Sequence, residues 1–227
     1  MVYFTIFKKN LEYAKIKFYY IVGKLENSPR FCVADDVIYN ITCILLMIDY
    51  DLIFNQILDG YRSNYNVELL TGKGELVATA YMHMSHGQHA LSRKFEMWSA
   101  DEDEYVYFYR TSHLTSDLAK RFIDEAYADG FPKIKLDHVT FNHQHMCTRL
   151  VLIVFCDTAE ADALKMIKKC RLYKSFQFSL KGWMEMHTAA LSLADGTITN
   201  NRHARETAKY LKKHVDHYDQ HVATKIF

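Results

Sequence analysis

An unbroken apolar run in the second half of the chain constrains the fold most. Residues 150–155 read LVLIVF and include no polar side chain. A strand with one face in water alternates apolar and polar residues, whereas a strand covered on both faces reads as a continuous apolar run. The run therefore predicts a fully buried strand inside a sheet.

Cap signals predict three helices around this strand. The first follows Thr115 or Ser116, ends at Gly130 with Pro132, and turns one apolar face inward: Leu118, Phe122, Ile123 and Ala126. The second opens at Asp157 with Glu160, in an approximate capping-box spacing. The last begins after Asn200-Asn201 and directs Ala204, Ala208 and Leu211 inward.

Alternation of apolar and polar residues predicts the other strands, over residues 75–84, 91–98, 105–109, 176–180 and 184–193. Residues 85–90 are expected to form a turn, the acidic run 101–104 a solvated hairpin tip, and Asp195-Gly196 a second hairpin turn. The buried strand, the helix after it and the strand at 176–180 form a predicted βαβ crossover. We expect a mixed α+β fold with helices packed on a largely antiparallel sheet and one such crossover.

Composition restricts the class of protein. The chain has 227 residues, of which 49% are hydrophobic, enough for one core, and 28 Lys and Arg nearly balance 27 Asp and Glu. Nucleic-acid binding would therefore need a local patch. Five cysteines without CxxC spacing argue against a disulfide framework and predict a cytoplasmic protein. The longest apolar stretch, 37–48, is too short for a membrane span, so no membrane partner is expected.

The chain changes character near Met47. Residues 1–46 contain no His, Gln or Trp and show no regular pattern, whereas a helical stripe begins at Ile48. One interpretation is that the domain occupies 47–213, with 1–46 a loosely attached extension or a stretch upstream of a true start at Met47. The other is an ordinary N-terminal helix and strand packed on the domain. Residues 214–227 are predicted to be a polar tail.

Three stretches carry a resemblance to a family. They are DEYVYF at 103–108, MIKKCRLYKSFQFSLKGWMEM at 166–186 and ITNNRHAR at 198–205. Over residues 47–212 the chain resembles a family of small uncharacterised bacterial proteins, a domain of unknown function. The resemblance implies these domain limits and a bacterial cytoplasmic origin, and it implies no activity.

Basic residues at the start of the last helix form the first candidate site. Arg202, His203 and Arg205 occupy the first turn, where the partial positive charge of the helix disfavours cations unless an anion is near. With Lys209 and Lys181 they form a candidate anion site of the kind that binds phosphate. The alternative is that Asp195, Glu206 or another carboxylate pairs with the arginines and ties the hairpin to the helix.

Histidines form the second candidate. His83, His86 and His89 recur every three residues, and His143 and His145 alternate with Cys147. We consider His83, His86, His143 and His145 as ligands of zinc or another divalent ion, against an ordinary role as exposed or capping residues. A set at helical spacing, His214, His217 and His221, lies in the predicted tail.

Aromatic residues beside cations form the third candidate, at 105–110 and at 173–178. Exposed aromatic rings beside Lys and Arg stack on unpaired bases. The alternative is core packing, because alternation sends about half of such a set inward.

These candidates leave three classes of function open. The first is a non-catalytic binding or regulatory module, without a cofactor, for a nucleotide or a nucleic-acid phosphate. The second is a metal-dependent hydrolase or nuclease that uses the clustered histidines, and the third is a structural or protein-interaction domain. No Gly-x-Ser-x-Gly elbow accompanies them, so whether the protein is an enzyme stays open.

Overall fold

A computed structural model describes residues 51–72, 74–89, 96–134, 143–194 and 196–226 of the chain. The structure divides into two units at the peptide bond between Phe54 and Asn55. The following description concerns the second unit, Asn55–Phe227.

The described residues form four α-helices and seven strands. Helix α1 covers residues 51–62, of which 55–62 belong to the second unit. The other helices are α2 (Ser116–Gly130), α3 (Ala161–Lys169) and α4 (Arg205–Ile226), and a 3-10 turn covers Phe131–Lys133. The strands are β1 (Asn66–Leu69), β2 (Leu76–His89), β3 (Glu96–Leu114), β4 (His143–Ala159), β5 (Tyr173–Ser175), β6 (Trp183–Ser192) and β7 (Ile198–Asn200). None of the described helices is apolar over a stretch long enough to cross a membrane.

The strands form one mixed sheet in the order β1-β2-β3-β4-β6-β5, and β7 also pairs with β6. Four of the pairings are antiparallel, and β4 runs parallel to β3 on one side and to β6 on the other. Residues 150–155 lie in β4 and are buried throughout, which confirms the predicted central strand. The predicted α+β class with a largely antiparallel sheet is confirmed.

The predicted strand at 176–180 is wrong. The chain pairs as β5 at Tyr173–Ser175 and then turns, with Gln177, Phe178 and Ser179 in the left-handed region of backbone conformation. Alternation of Phe176, Phe178 and Leu180 resembles a strand, but only Phe176 is buried. The helix α3 therefore connects β4 to β6, and α2 makes a second parallel connection, from β3 to β4.

Two further predictions are corrected by the long strands β2 and β3. The predicted turn at 85–90 is wrong as far as His89, because β2 continues to that residue. The acidic run 101–104 lies within β3 and not at a hairpin tip, and Glu102 and Asp103 are buried. Carboxylates at these positions need charged or hydrogen-bonding partners, because burying a charge without them is costly.

Helices cover both faces of the sheet, as the alternation of side chains along the strands requires. Under α2 and α3 lies a core that includes Tyr107, Leu152 and Met186 from the strands and Phe122 and Ile167 from the helices. The predicted inward residues Phe122, Ile123 and Ala126 are buried there, and Thr115 caps α2 as expected. On the opposite face Tyr61 of α1 packs edge-on against Phe108 and against Tyr210 of α4.

Asn201 fixes the start of α4 against the sheet. Its Oδ1 accepts hydrogen bonds from the main-chain N–H groups of Ala204 (2.9 Å) and Thr188 (3.3 Å). Its Nδ2 donates to the carbonyl oxygens of Met186 (2.8 Å) and Cys170 (3.1 Å). The Asn201 side chain is fully buried, and both its amide NH2 group and its carbonyl oxygen form hydrogen bonds. The bond to Ala204 confirms the predicted helix cap. The other bonds connect the start of α4 to β6 and to the end of α3. The helix continues to Ile226, through the segment predicted as a polar tail.

We expect Asn201→Ala to lower the free energy of unfolding by about 3 kcal/mol, the sum of a lost helix cap and of buried carbonyl groups left without a donor. Urea unfolding followed by circular dichroism measures the change. Asn200→Ala is the control, because the Asn200 side chain makes one hydrogen bond, to the carbonyl of Asn201, and its loss costs about 1 kcal/mol or less. Equal effects of the two substitutions would contradict the role given to Asn201.

Candidate functional site

A row of charged side chains crosses the sheet on the face that α1 and α4 only partly cover. Glu104, Arg149 and Glu185 are register partners on the adjacent strands β3, β4 and β6. They follow the same alternation as Phe108 further along β3, so they lie on the face of α1 and α4. Each keeps about a sixth to a quarter of its side chain exposed, so the row remains accessible to solvent.

Arg149 is the centre of this row. Its Nη1 lies 2.8 Å from Glu102 Oε2 and 4.0 Å from Glu104 Oε2, and its Nε lies 3.9 Å from Glu185 Oε1. Tyr65 donates a hydrogen bond of 2.9 Å to Glu104 Oε1. Three carboxylates thus share one guanidinium, and the four groups carry a formal net charge of minus two. A divalent cation would balance this charge.

Glu185 also joins two histidines. The Nε2–H group of His187 donates to Glu185 Oε1 over 2.9 Å, and His203 Nδ1 lies 3.1 Å from Glu185 Oε2. The hydrogen bond from His187 outweighs burial and, with the charges of His187, His203 and Arg149, holds the pKa of Glu185 below its ordinary value. Glu185 is therefore an anion at neutral pH.

The local fold explains how these three residues meet. Glu185 and His187 are two residues apart on β6, so both point to the same face. His203 lies between the Asn201 cap and the first residue of α4, and the cap fixes this segment to β6 at Thr188 and Met186. One ligand atom from each residue comes within 4.8 Å of the others, a separation compatible with a shared metal ion.

The residues predicted to bind an anion are divided by the structure. His203 contacts Glu185, and Lys209 pairs with Glu206 over 2.7 Å. Arg202 and Arg205 are exposed and make no ion pair within the described part of the chain. Lys181 lies in the turn before β6, where its carbonyl oxygen accepts a hydrogen bond from His145. The anion site stays a prediction.

The histidines predicted to bind a metal lie elsewhere. His83 Nδ1 lies 2.9 Å from Asp103 Oδ1, to which Tyr81 also donates. His145 is buried, donates from Nδ1 to the carbonyl of Lys181, and accepts at Nε2 from the Thr148 hydroxyl. The side chains of His86 and His143 lie outside the described residues. That set of four stays a prediction, whereas the described residues bring together Glu185, His187 and His203.

Sequence reasoning missed Arg149, Glu185 and His187 as members of a site. A usable signal was present for two of them, because Glu185 and His187 alternate on a predicted strand just as His143 and His145 do. For Arg149 no local signal exists, since its partners are separated from it by tens of residues and meet it only through parallel pairing.

Cysteine is an alternative metal ligand that the described residues do not favour. Cys147, Cys156 and Cys170 form no disulfide bond among the described residues. Cys147 is on β4 two residues before Arg149, and burial raises the pKa of its thiol to about 12. Burial thus favours the neutral thiol over the thiolate that a metal ligand must become, so a metal bound at Cys147 would have to displace this proton.

Comparison with known proteins places the domain in a family. The family model described as domain of unknown function (DUF8052) matches residues 49–213. The chain belongs to this family. The predicted resemblance over 47–212 is thereby confirmed, and Glu185, His187 and His203 of this DUF8052 domain all lie within the match. No curated protein and no solved structure matches the chain. The bacterial origin, the cytoplasmic location and the status of residues 1–46 stay predictions.

Replacing Arg149 by methionine tests the charge row. At neutral pH we expect the free energy of unfolding to fall by about 2 kcal/mol, below the 3–5 kcal/mol of a fully buried pair because Arg149 is partly exposed. Glu185 has a lowered pKa in the folded chain, so its ionised form stabilises the fold above its ordinary pKa, and that contribution is lost as the pH falls through the lowered value. The destabilisation should therefore shrink on acidification below about pH 4.

Arg121→Met is the matched control for this experiment. Arg121 forms an exposed pair with Glu75, and such pairs contribute about 1 kcal/mol or less. Urea unfolding at neutral and acidic pH measures both variants. An effect of Arg149→Met that equals the control, or that grows on acidification, would contradict the charge row.

Proposed function

We propose that this domain binds one divalent transition-metal ion through Glu185, His187 and His203, and that the ion helps to hold an anionic ligand. The observation that carries the proposal is the convergence of the three side chains, with Glu185 oxygens 2.9 and 3.1 Å from the two imidazole nitrogens. The ligand class is the one expected from the sequence, a small anionic molecule or a nucleic-acid phosphate.

The spacing of the ligand atoms supports a small ion. Zinc binds imidazole nitrogen and carboxylate oxygen at about 2.0–2.2 Å in tetrahedral geometry, which separates the ligand atoms by about 3.3 Å. The two Glu185 contacts, one to each carboxylate oxygen, are within a few tenths of an ångström of this value, and the three ligand atoms lie within 4.8 Å of one another, so the side chains must move together to bind one ion. In the metal-bound form each imidazole presents the nitrogen that now faces Glu185 as a lone pair.

The chemistry of the donors indicates the kind of metal. Two imidazoles and one carboxylate suit zinc and neighbouring transition metals, whereas calcium and magnesium prefer oxygen ligands. The formal charge of minus two on Glu102, Glu104, Glu185 and Arg149 favours a divalent cation.

The anionic ligand is the second half of the proposal. Three protein ligands leave a tetrahedral ion with one further position, which an anionic oxygen can occupy. Arg202 and Arg205 adjoin His203 in the chain and are exposed, and guanidinium groups bind phosphate by paired hydrogen bonds. The metal and the two arginines together neutralise the negative charge of a phosphate group better than the arginines alone.

Metal-dependent hydrolysis is a second candidate function. The number of protein ligands, three, favours it. Catalytic zinc sites use three protein ligands and keep one position for water, whereas structural sites use four. The ion would then activate water for attack on an ester of the bound anion. One observation distinguishes the two candidates. A hydrolase loaded with zinc cleaves a phosphodiester, whereas a binding module loaded with zinc does not.

We expect the full chain, stripped of metal and then titrated with Zn²⁺ in a calorimeter, to bind one equivalent. His187→Ala and His203→Ala should each weaken binding by more than the roughly 10- to 100-fold loss caused by removing an outer-shell partner of a metal ligand. Acidification should also weaken binding, because a ligand imidazole must be unprotonated.

His113→Ala is the control for metal binding. His113 is exposed, and its Nδ1 lies 2.8 Å from the Thr158 hydroxyl rather than near a carboxylate. Zinc affinity that is the same in His187→Ala, His113→Ala and the unchanged chain would rule out this site.

For the anion, we expect inorganic phosphate to bind the zinc-loaded chain. The double substitution Arg202→Ala with Arg205→Ala should weaken this binding about tenfold. Hydrogen bonds to charged groups contribute about 1.5–3 kcal/mol, and solvent exposure of the arginines reduces that contribution. Calorimetry measures the affinity, and Arg62→Ala, which removes an arginine paired with Asp59, is the control. Phosphate binding unaffected by the double substitution would remove the arginines from the proposal. Cleavage of bis(p-nitrophenyl) phosphate that is lost in His203→Ala would select the hydrolase.

A further inference from the structure

A second positive region surrounds β5, apart from the arginines of α4. Residues 163–184 contain six Lys or Arg and no Asp or Glu, although the whole chain has a net charge of only +1. The structure places these cations at the end of α3, along β5 and in the turn before β6: Lys165, Lys168, Lys169, Arg171, Lys174 and Lys181. A near-neutral chain thus presents a concentrated positive patch at one edge of its sheet.

Most of these cations have no acidic partner among the described residues. Lys165 pairs with Asp162. Lys174 Nζ lies 4.4 Å from the centre of the Phe131 ring, which orients it without neutralising it. Lys168, Lys169 and Arg171 are exposed and form no ion pair in the part of the chain that the structure describes. The patch is therefore available to a negatively charged partner.

Two aromatic rings stand within this patch. Tyr173 on β5 is 53% exposed, and Phe178 in the turn before β6 is 98% exposed. A phenylalanine that is fully exposed gives up the stabilisation that burial of its ring would provide. Phe176, two residues earlier, is buried in the core, so the turn is attached firmly on one side of Phe178.

The turn holds Phe178 outward at a conformational cost. Gln177, Phe178 and Ser179 have φ angles of 48°, 55° and 66°, a region that residues other than glycine seldom occupy. Main-chain hydrogen bonds from Phe176 to Gly182 and from Lys181 to Phe176 close the turn. At Gly182 (φ 77°) an added Cβ would lie 2.4 Å from the carbonyl oxygen of His145, so the chain returns tightly against β4. Strain that is held in this way is typical of functional segments.

We propose that the edge of the sheet formed by Arg171, Tyr173, Lys174, Phe178 and Lys181 binds single-stranded nucleic acid. The nucleic acid passes around β5, because Tyr173 lies on the face of Glu185 and Lys174 on the face of Phe131. Phe178 and Tyr173 stack on unpaired bases, and the cations contact the phosphates between them. Such stacking tolerates any base, because every base has a π-face, so binding is expected to show little sequence preference. A duplex keeps its bases stacked on one another and offers no free face to these rings.

This surface goes beyond the metal-dependent function and does not depend on it. Tyr173 is the register partner of Glu185, so the two surfaces meet at β5 and β6. A single strand of nucleic acid bound along β5 would bring one of its phosphates close to the proposed metal site. The test below is performed in EDTA, so failure of the metal proposal and failure of this one give separate results.

The experiment is fluorescence anisotropy of the full chain with labelled 15-nucleotide oligo-dU and oligo-U, which differ only in the 2′-hydroxyl group. Each phosphate contact on a single strand contributes about 0.7 to the slope of log K against log salt, so three contacts predict about 20-fold weaker binding at 200 mM than at 50 mM salt. Phe178→Ala should weaken binding about tenfold, because stacking on one base contributes about 1–3 kcal/mol. Equal affinity for the two oligonucleotides indicates that the 2′-hydroxyl is not read, and a preference for oligo-U indicates RNA as the ligand.

Leu180→Ala is the matched control. Leu180 is 74% exposed in the same turn and is apolar, but it has no aromatic face. We expect its substitution to leave affinity within about twofold, since stacking needs a ring. For the cations, Arg171→Gln with Lys174→Gln should lower the salt slope, whereas Lys165→Gln, which removes a paired lysine, should leave it unchanged.

Three results would overturn the inference. One is no binding of either oligonucleotide at low salt, and another is equal weakening by Phe178→Ala and Leu180→Ala. The third is a 15-base-pair duplex that binds as tightly as the single strands. If anionic lipid vesicles bind and oligonucleotides do not, the patch would be assigned to a membrane surface instead. In that case Phe178→Ala and Leu180→Ala should weaken vesicle binding equally.

Discussion

The proposed site depends on a single buried amide. Asn201 receives and donates hydrogen bonds that join the first turn of α4 to Thr188 and Met186 of β6. His203 follows two residues later, so the same amide determines where this imidazole leaves the main chain. Glu185 and His187 need no such device, because a strand already places alternate side chains on one face. The third ligand comes from a different element, which the pairing of β7 with β6 and the hydrogen bonds of Asn201 bring into place together.

The charge row shows why the site lies at this position on the sheet. On the face of α1 and α4, the strands carry Phe108 and Phe155 beneath the helices and Glu104, Arg149 and Glu185 beyond them. Half-buried ion pairs add little net stability compared with apolar packing of similar volume, because desolvation offsets their attraction. Three carboxylates around one arginine leave an excess of negative charge that a bound cation would offset, which supports the metal-binding role proposed for Glu185.

Sequence patterns predicted those elements in which local and tertiary preferences agree. The apolar run in β4, the Thr115 cap of α2 and the Asn201 cap of α4 were all readable because each is specified within a few residues. Residues 176–180 were misjudged because alternation alone cannot distinguish a strand from a turn that buries Phe176 and exposes Phe178. The acidic run at 101–104 was misjudged because its partner Arg149 is supplied by a distant strand. The parallel β3–β4 pairing that makes this contact has no local signature.

X-ray absorption spectroscopy of the zinc-loaded full chain tests the central claim most directly, because it reports the atoms that touch the metal. The account predicts a first shell with two imidazole nitrogens and a carboxylate oxygen at about 2.0–2.2 Å, completed by an oxygen from water or an anion. One imidazole should disappear from the spectrum when Asn201 is replaced, since His203 then loses its fixed position. A shell that contains sulfur, or one made of oxygen atoms alone, would contradict the account.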